Sequence, residues 1–306
     1  MTTTARSDFA QKPAMNSDKE ERAYHDDAGS NYILPKDAKE HVRLEDQARA
    51  LETVMSGNIF HAPVNEAKVT KVLDIGCGTG YVTDKLARRF PKAEVYGLDL
   101  SPVPTLREQR ANVQYLRGNV LTQQPTLWTG SAGPVLDQDE AVFDYIFSRL
   151  LIAGMTDWHG LLKKEFAMLD SGGYLEHHEV DFTIFGAGGK VAHDGPLEII
   201  KALGIEQHAG TKMRDWFEDA GFVDVVVHKY QLSFGGAHET DPAMKEVGEF
   251  WYRDMREAFE ASMYGAAQRL GKPIEEAQAE IDKYHALVKP DVGNYTMMYA
   301  VYGRKP

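Results

Sequence analysis

The chain has 306 residues and a formal net charge of −12, from 34 Lys and Arg against 46 Asp and Glu, a balance that disfavours a nucleic-acid backbone as partner. Its 43% apolar content is ordinary for a globular chain, no stretch approaches the ~18 consecutive apolar residues of a membrane span, and the N-terminus lacks a charged-then-apolar secretory signal. The single cysteine, Cys77, permits no internal disulfide, and the composition points to a cytoplasmic protein with no nucleic-acid or membrane partner and an open oligomeric state.

Residues 1–28 are polar and charged without apolar periodicity and read as a disordered tail. Over 37–56, Val42, Ala48, Leu51 and Met55 form a helical stripe stopped by Gly57, so 29–66 is expected as an N-terminal helical lid. The body, 67–240, opens with Lys71–Thr83, KVLDIGCGTGYVT. Val72, Leu73 and Ile75 flank Asp74 in a short apolar run bounded by glycines, the pattern of a buried parallel strand ending in a tight turn. Gly76, Gly78 and Gly80 form that turn, and Tyr81–Arg89 continues as a helix. Glycine there lets the backbone take unusual angles and approach a ligand that a Cβ would push away. Cys77 reads as a small residue fitting between the glycines.

Dinucleotide binders use GxGxxG to seat a pyrophosphate on the helix N-terminus. This chain has GxGxG preceded by an acid, which resembles the first motif of S-adenosylmethionine-dependent methyltransferases. The resemblance implies S-adenosyl-L-methionine as cofactor and S-adenosyl-L-homocysteine as product, with the loop beneath the methionine part and Asp74 helping to orient its ammonium. A glycine turn with no ligand is the alternative. Val95–Ser101, VYGLDLS, reads as a second strand whose terminal acid, Asp99, can accept both ribose hydroxyls, with Leu100 beside it; alone, Asp99 equally suits NAD or a helix cap. Val113–Val120 is a third strand ending at Asn119 and Val120. Methyltransferases commonly carry Asp here for the adenine amine, and Asn119 keeps an acceptor oxygen without the charge. Val142–Leu151 is a fourth strand with Ser148 and Arg149 at its tip. Met168–Glu179, MLDSGGYLEHHE, holds a helix end, a glycine turn and a fifth strand, similar to the family's LxPGG element with Asp170-Ser171 in place of Pro.

The Pro-, Gly- and Gln-rich stretch Gln123–Glu140 reads as a mobile loop, and Thr183–Val191 as a flexible glycine-rich bridge near the substrate. Thr211–Gly221 is expected as a helix capped by Thr211, with Met213, Trp216, Phe217 and Ala220 inward. Phe222–Phe234 alternates as a strand. Residues 241–290 read as a helical cover inserted before the last strand. Its first helix starts at Asp241-Pro242 and repeats Val247, Phe250, Trp251, Met255, Phe259 and Met263. Its second helix shows Ile274, Ala277, Ile281, Tyr284 and Leu287. This stripe serves either ordinary core packing or the wall of an apolar ligand pocket. The closing strand, YTMMYAVY, lies in 291–306. The expected fold is α/β: a Rossmann-like seven-stranded methyltransferase sheet, mostly parallel with an antiparallel last strand, an N-terminal helical segment and a C-terminal helical cover.

Together GSNYILPKDAKEHVRL (Gly29–Leu44), LDIGCGTG, VYGLDLSP, TDWHGLL and the closing YAVYGRKP resemble the fungal LaeA-like (UMTA-type) methyltransferases of secondary metabolism. The resemblance implies that Tyr32 and Arg43 reach over the cofactor, Arg43 towards its carboxylate; a salt bridge of Arg43 with Glu40 or Asp46 on its own helix is the alternative. One departure stands out: where the family reads like GWIEIQE, this chain has GYLEHHE.

Methyl transfer needs in-line positioning of a nucleophile with water excluded, and a hydroxyl acceptor also needs a base with a pKa near the working pH. Histidine meets that requirement untuned, and ligands bind outside the carboxyl ends of parallel strands. His178 is therefore the expected base, with Glu179 and His193 next; the alternative is that these are polar strand-end residues and that proximity alone suffices. The tip YIFSRLL lacks the [DNS]PP[YF] grip on nucleobase amines, and no second carboxylate falls near Ser148–Arg149 to hold a divalent ion. No zinc ligand set is evident either. The expected activity is metal-free O-methylation of a small, largely apolar natural product. A regulator working through protein partners, or a cofactor-binding enzyme catalysing rearrangement or cyclisation, are the alternatives.

Overall fold

The computed structural model describes residues 22–24 and 31–306, apart from 132, 135, 138–141 and 195–196. Seven strands of five residues or more form the body of one sheet: β1 (Lys71–Ile75), β2 (Glu94–Asp99), β3 (Val113–Arg117), β4 (Phe143–Arg149), β5 (Leu169–Val180), β6 (Val223–Ser233) and β7 (Tyr295–Arg304). They lie in the order β3-β2-β1-β4-β5-β7-β6, parallel from β3 to β5, with β7 antiparallel to both β5 and β6. Shorter strands extend the edges: Thr129–Gly130 and Gly133–Pro134 beyond β3, Ile184–Phe185 and Val191–His193 beside β7. This is the expected Rossmann-like sheet. The chain order reverses between β1 and β4, which opens a crevice at their carboxyl ends.

The helices are α1 (Ala38–Val54), α2 (Tyr81–Arg89), α3 (Trp158–Met168), α4 (Glu198–Ala202), α5 (Ala209–Asp219), α6 (Pro242–Leu270) and α7 (Ile274–Leu287). Helices on both faces explain why β1 is mostly apolar and buried from Val72 onward: Val72, Leu73, Ile75 and even Asp74 are buried. The start of α6 follows from its sequence, since Asp241 accepts from the N–H groups of Ala243 and Met244 and Pro242 fills the first helical position. Gly271, at φ +61°, ends it. Between those ends α6 packs on α7, α1, α4 and β6. Among the described residues no helix is long and apolar enough to cross a membrane.

Several local expectations give way to tertiary contacts. Val42 is 45% exposed, and the buried face of α1 instead carries Glu40 and Gln47, because both find charged partners. Ile274, expected inward, is 60% exposed at the start of α7. Thr211 lies inside α5 rather than capping it; its N–H and hydroxyl both bond Asp181. Residues 100–112 form no helix, so Asp99 caps none. The expected bridge 183–191 contains a short strand and a 3-10 turn and pairs with β7. Of the tail expected to be disordered, 1–21 and 25–28 lie outside the described residues, but Arg22 pairs with Asp37 at 2.6 Å and Tyr24 donates to the Ala261 carbonyl at 3.0 Å.

Candidate functional site

A cavity of about 380 Å³ opens at the carboxyl ends of β1, β2 and β4 and runs beneath α1 and α6. Its floor is the glycine turn. Leu98 accepts from the N–H groups of Gly76 (2.8 Å) and Cys77 (3.0 Å), tying the turn to β2. Gly78, at φ +55°, lines the cavity; a Cβ there would meet only Leu44 Cδ1, at 3.7 Å, so the space beside it is free for a ligand. Gly80 does not line the cavity. Its role is packing: at φ +75° it begins α2, and a Cβ would lie 2.3 Å from the Tyr115 hydroxyl.

Asp99 accepts from the Gly78 and Ser101 N–H groups, both at 2.9 Å, so the acid at the tip of β2 also holds the turn. Leu100, Asn119 and Val120 line the same side. The Asn119 side-chain oxygen accepts from the N–H groups of Leu121 (2.9 Å) and Thr122 (3.3 Å), so it shapes its own loop. Asp74 is buried beneath the turn and accepts from the Thr83 hydroxyl at 2.6 Å. Burial pushes its carboxyl up to about 7, with Thr83 and Arg149 opposing.

Two arginines reach the cavity with opposite surroundings. Arg43, on α1, bonds Glu40 at 2.6 Å and Asp254, on α6, at 2.9 Å, and Gln47 donates to the same Asp254 carboxylate. Burial works against its charge, and the two carboxylates outweigh it and raise its pKa. Arg43 therefore latches α1 to α6, the salt-bridge alternative rather than a free cation over the cofactor. Arg149, at the tip of β4, joins no ion pair among the described residues, and its Nη1 is buried without a hydrogen-bond partner. Burial lowers its pKa, with Asp74 the main opposing charge. Tyr32 also lines the cavity, packed on Gly154.

Four further expected residues stand elsewhere. Ser148 is fully buried and shares a 2.6 Å hydrogen bond with His177 Nδ1, whose Nε2 meets Glu165 at 2.9 Å. His178 is equally buried and does not line the cavity; its Nε2 bonds Glu176 at 2.7 Å under Phe147 and His61. Burial pushes its pKa down to about 4, against the pull of Glu176. It is thus not placed to take a proton from a ligand in this cavity. Glu179, on the opposite face of β5, accepts from the N–H groups of Leu151 (2.7 Å) and Ile152 (3.3 Å), and burial pushes its carboxyl up to about 8. Its place is behind the cavity-lining loop. His193 sits on the short edge strand away from the cavity. The scattered histidines, read as no ligand set, do converge at one place: His61 and His178 meet at Glu176.

Several residues in and behind the cavity wall had no sequence signature. Leu150, following Arg149, takes a left-handed φ of 57° and starts a lining loop that Glu179 holds from behind; such strain in a non-glycine residue is a feature of functional sites. Glu45 of α1 bonds both Thr79 of the glycine turn and Arg107, bracing lid against floor. Asp181 and His41 are titratable side chains on the walls. Asp254 alone left a trace, an acid three residues after Trp251 on an otherwise apolar stripe.

Opposite the glycine turn the wall is apolar and aromatic: Phe182 and Ile184 after β5, Trp251, Met255 and Phe259 from α6, and Tyr284 from α7. The aromatic stripe of the cover thus serves the pocket as well as the core: Trp251 is fully buried and lines the cavity, whereas Met263 is pure core.

The profile of the methyltransferase domain matches residues 35–227. Methyltransferase pytC of Aspergillus terreus is 26% identical over 255 residues, covering 79% of this chain and 74% of that protein. The secondary metabolism regulator laeA of Aspergillus fumigatus is 25% identical, over 93% of this chain and 75% of that protein. Among solved structures, phosphoethanolamine N-methyltransferase 2 of Haemonchus contortus, in complex with S-adenosyl-L-methionine, aligns over 90% of this chain at 18% identity and a TM-score of 0.47; this chain spans 54% of its length. With the GxGxG turn, the acid closing β2 and a profile match over well over half its length, the chain belongs to the methyltransferase-domain family, as a LaeA-like class I S-adenosylmethionine-dependent enzyme related to those of fungal secondary metabolism.

Proposed function

We propose that the chain transfers the methyl group of S-adenosyl-L-methionine to a hydroxyl of a small, largely apolar natural product. The carrying observation is the continuity of one cavity: the glycine turn, Asp99 and Arg149 on one side, and Trp251, Met255, Phe259 and Tyr284 on the other. In this reading Asp99 accepts from the ribose hydroxyls, and Gly78 gives the methionine part room. Arg149 supplies the fork for the carboxylate, and Asp74 faces the ammonium. The sulfonium methyl is itself a strong electrophile, so the protein's work is alignment and exclusion of water. The apolar cover does the excluding. Where the acceptor hydroxyl needs a base, His41 and Asp181 stand on the cavity wall, in place of His178.

The test is incubation with isotopically labelled cofactor and a metabolite extract, followed by a search for labelled products. A product heavier than its precursor by one methylene supports the proposal. Consumption of a metabolite to an unlabelled isomer contradicts it and favours rearrangement. The likeness to laeA over 93% of the chain favours a second reading, a regulator acting through protein partners. Capture of a defined protein partner, with no labelled small molecule, would decide for that reading.

A further inference from the structure

Away from the cofactor cavity, three side chains gather nitrogen and oxygen ligands at one point. Glu176 and His178 lie two residues apart on β5 and so share a face, and His61 reaches that face from the segment between α1 and β1. Oε1 of Glu176 is 3.0 Å from Nδ1 of His61 and 2.7 Å from Nε2 of His178, and the three atoms all lie within 4.8 Å of one another. None of the three side chains is more than 2% exposed. Their orientation is held from outside. The Tyr145 hydroxyl (2.7 Å) and the Ala62 N–H (2.9 Å) donate to Glu176 Oε2, and the Tyr230 hydroxyl lies 2.6 Å from His61 Nε2. Support of this kind is what ligating imidazoles and carboxylates require.

Two imidazole nitrogens converge on one carboxylate oxygen, while the other ring nitrogen of His178, Nδ1, is buried with no partner. We propose that His61, Glu176 and His178 bind a zinc-class divalent cation through Nδ1, Oε1 and Nε2. Two imidazoles and a carboxylate are a borderline donor set that suits zinc, cobalt and nickel. Tetrahedral bonds of about 2.0–2.2 Å set ligand atoms roughly 3.3–3.6 Å apart, so both imidazoles would draw back a few tenths of an ångström from Oε1, now 2.7 and 3.0 Å away, on binding. On binding, the His61 ring proton moves to Nε2 and is donated to the Tyr230 oxygen, and that of His178 moves to Nδ1, so both rings stay neutral. Water fills the open positions from the half-buried side of His228 and Tyr230. His178 is the register partner of Arg149, so the cation would fasten the 59–62 segment to the sheet one strand away from the cofactor cavity, with no contact to the cofactor.

The test uses the full chain, stripped with chelator and titrated with Co²⁺, followed by its visible d–d absorption and by displacement with Zn²⁺. The proposal expects one equivalent of Co²⁺, bands of nitrogen–oxygen ligation lost on adding Zn²⁺, and a melting temperature raised by Zn²⁺. His61→Gln, on the connecting segment, should melt cooperatively in metal-free buffer yet lose the bands and the Zn²⁺ shift. Glu176→Gln and His178→Gln should do the same where they fold. Absence of stoichiometric binding in the parent chain overturns the proposal, as does a folded His61→Gln variant that binds Co²⁺ equally well.

Discussion

The two cavity arginines offer a sharp test of which cation meets the cofactor's carboxylate. Arg43 is neutralised by Glu40 and Asp254 in the latch between α1 and α6, whereas Arg149 joins no ion pair among the described residues and has a buried, unpartnered Nη1. Removing one member of a buried ion pair costs about 3–5 kcal/mol because the remaining charges stay buried. Arg43→Ala leaves Asp254 with only the Gln47 amide. At about 2 °C per kcal/mol for a chain of this size, its melting temperature should fall by roughly 6–10 °C. Arg149→Ala breaks no such pair and should change stability little. It should instead weaken S-adenosylhomocysteine by roughly 10- to 150-fold, the equivalent of about 1.5–3 kcal/mol for hydrogen bonds to a charged group. Differential scanning calorimetry and titration calorimetry on both variants separate the two effects. The reasoning fails if Arg149→Ala binds like the parent chain while Arg43→Ala keeps its melting temperature and loses the ligand.

Asp99→Ala should cut S-adenosylhomocysteine affinity by up to about 100-fold through loss of charge-assisted bonds to the ribose, measured by the same titration; a loss under twofold would remove Asp99 from the site. The Asp74 carboxyl, pushed up to about 7 by burial, predicts opposite trends for two observables. Its folded pKa lies above the unfolded value, so its contribution to stability is present in acid and is lost as pH rises through 7. Affinity for the ligand's ammonium should instead rise over that interval, with proton release detectable in buffers of different ionisation enthalpy. Flat affinity between pH 6 and 8 would contradict this. Trp251→Ala, at a fully buried site that also lines the cavity, should destabilise by about 3–5 kcal/mol in denaturant unfolding; a cost below 1 kcal/mol would mean the cover is not packed as described.

What could be read from the chain was what depends on near neighbours. The strand–turn–helix Lys71–Arg89 needs only its own residues and φ-tolerant glycines, and it stands where expected. The same holds for the Asp241 cap and Pro242 at the start of α6. The misplacements share one cause, a partner far along the chain. His178 faces His61 because β5 alternates and the 59–62 segment closes that face; nothing near either residue announces the meeting. Arg43 is held by Asp254, 211 positions away, so a helix-surface cation became a buried latch. Glu179 was legible as an acid at a strand end, but its bond to a loop built on a left-handed Leu150 was not. Val42 turned outward because Glu40 and Gln47, polar by composition, were matched, Glu40 by Arg43 on its own helix and Gln47 by Asp254 across the interface.

The central claim is that the turn after β1 cradles the cofactor, and calorimetric titration of S-adenosylhomocysteine into the parent chain and Gly78→Val tests it most directly. A Cβ at Gly78 meets no protein atom closer than 3.7 Å, so the variant should still melt cooperatively, with strain of about 1–2 kcal/mol from its positive φ. The account predicts one site in the parent chain and no measurable binding in the folded variant. Equal affinity in both would mean that the ligand lies elsewhere.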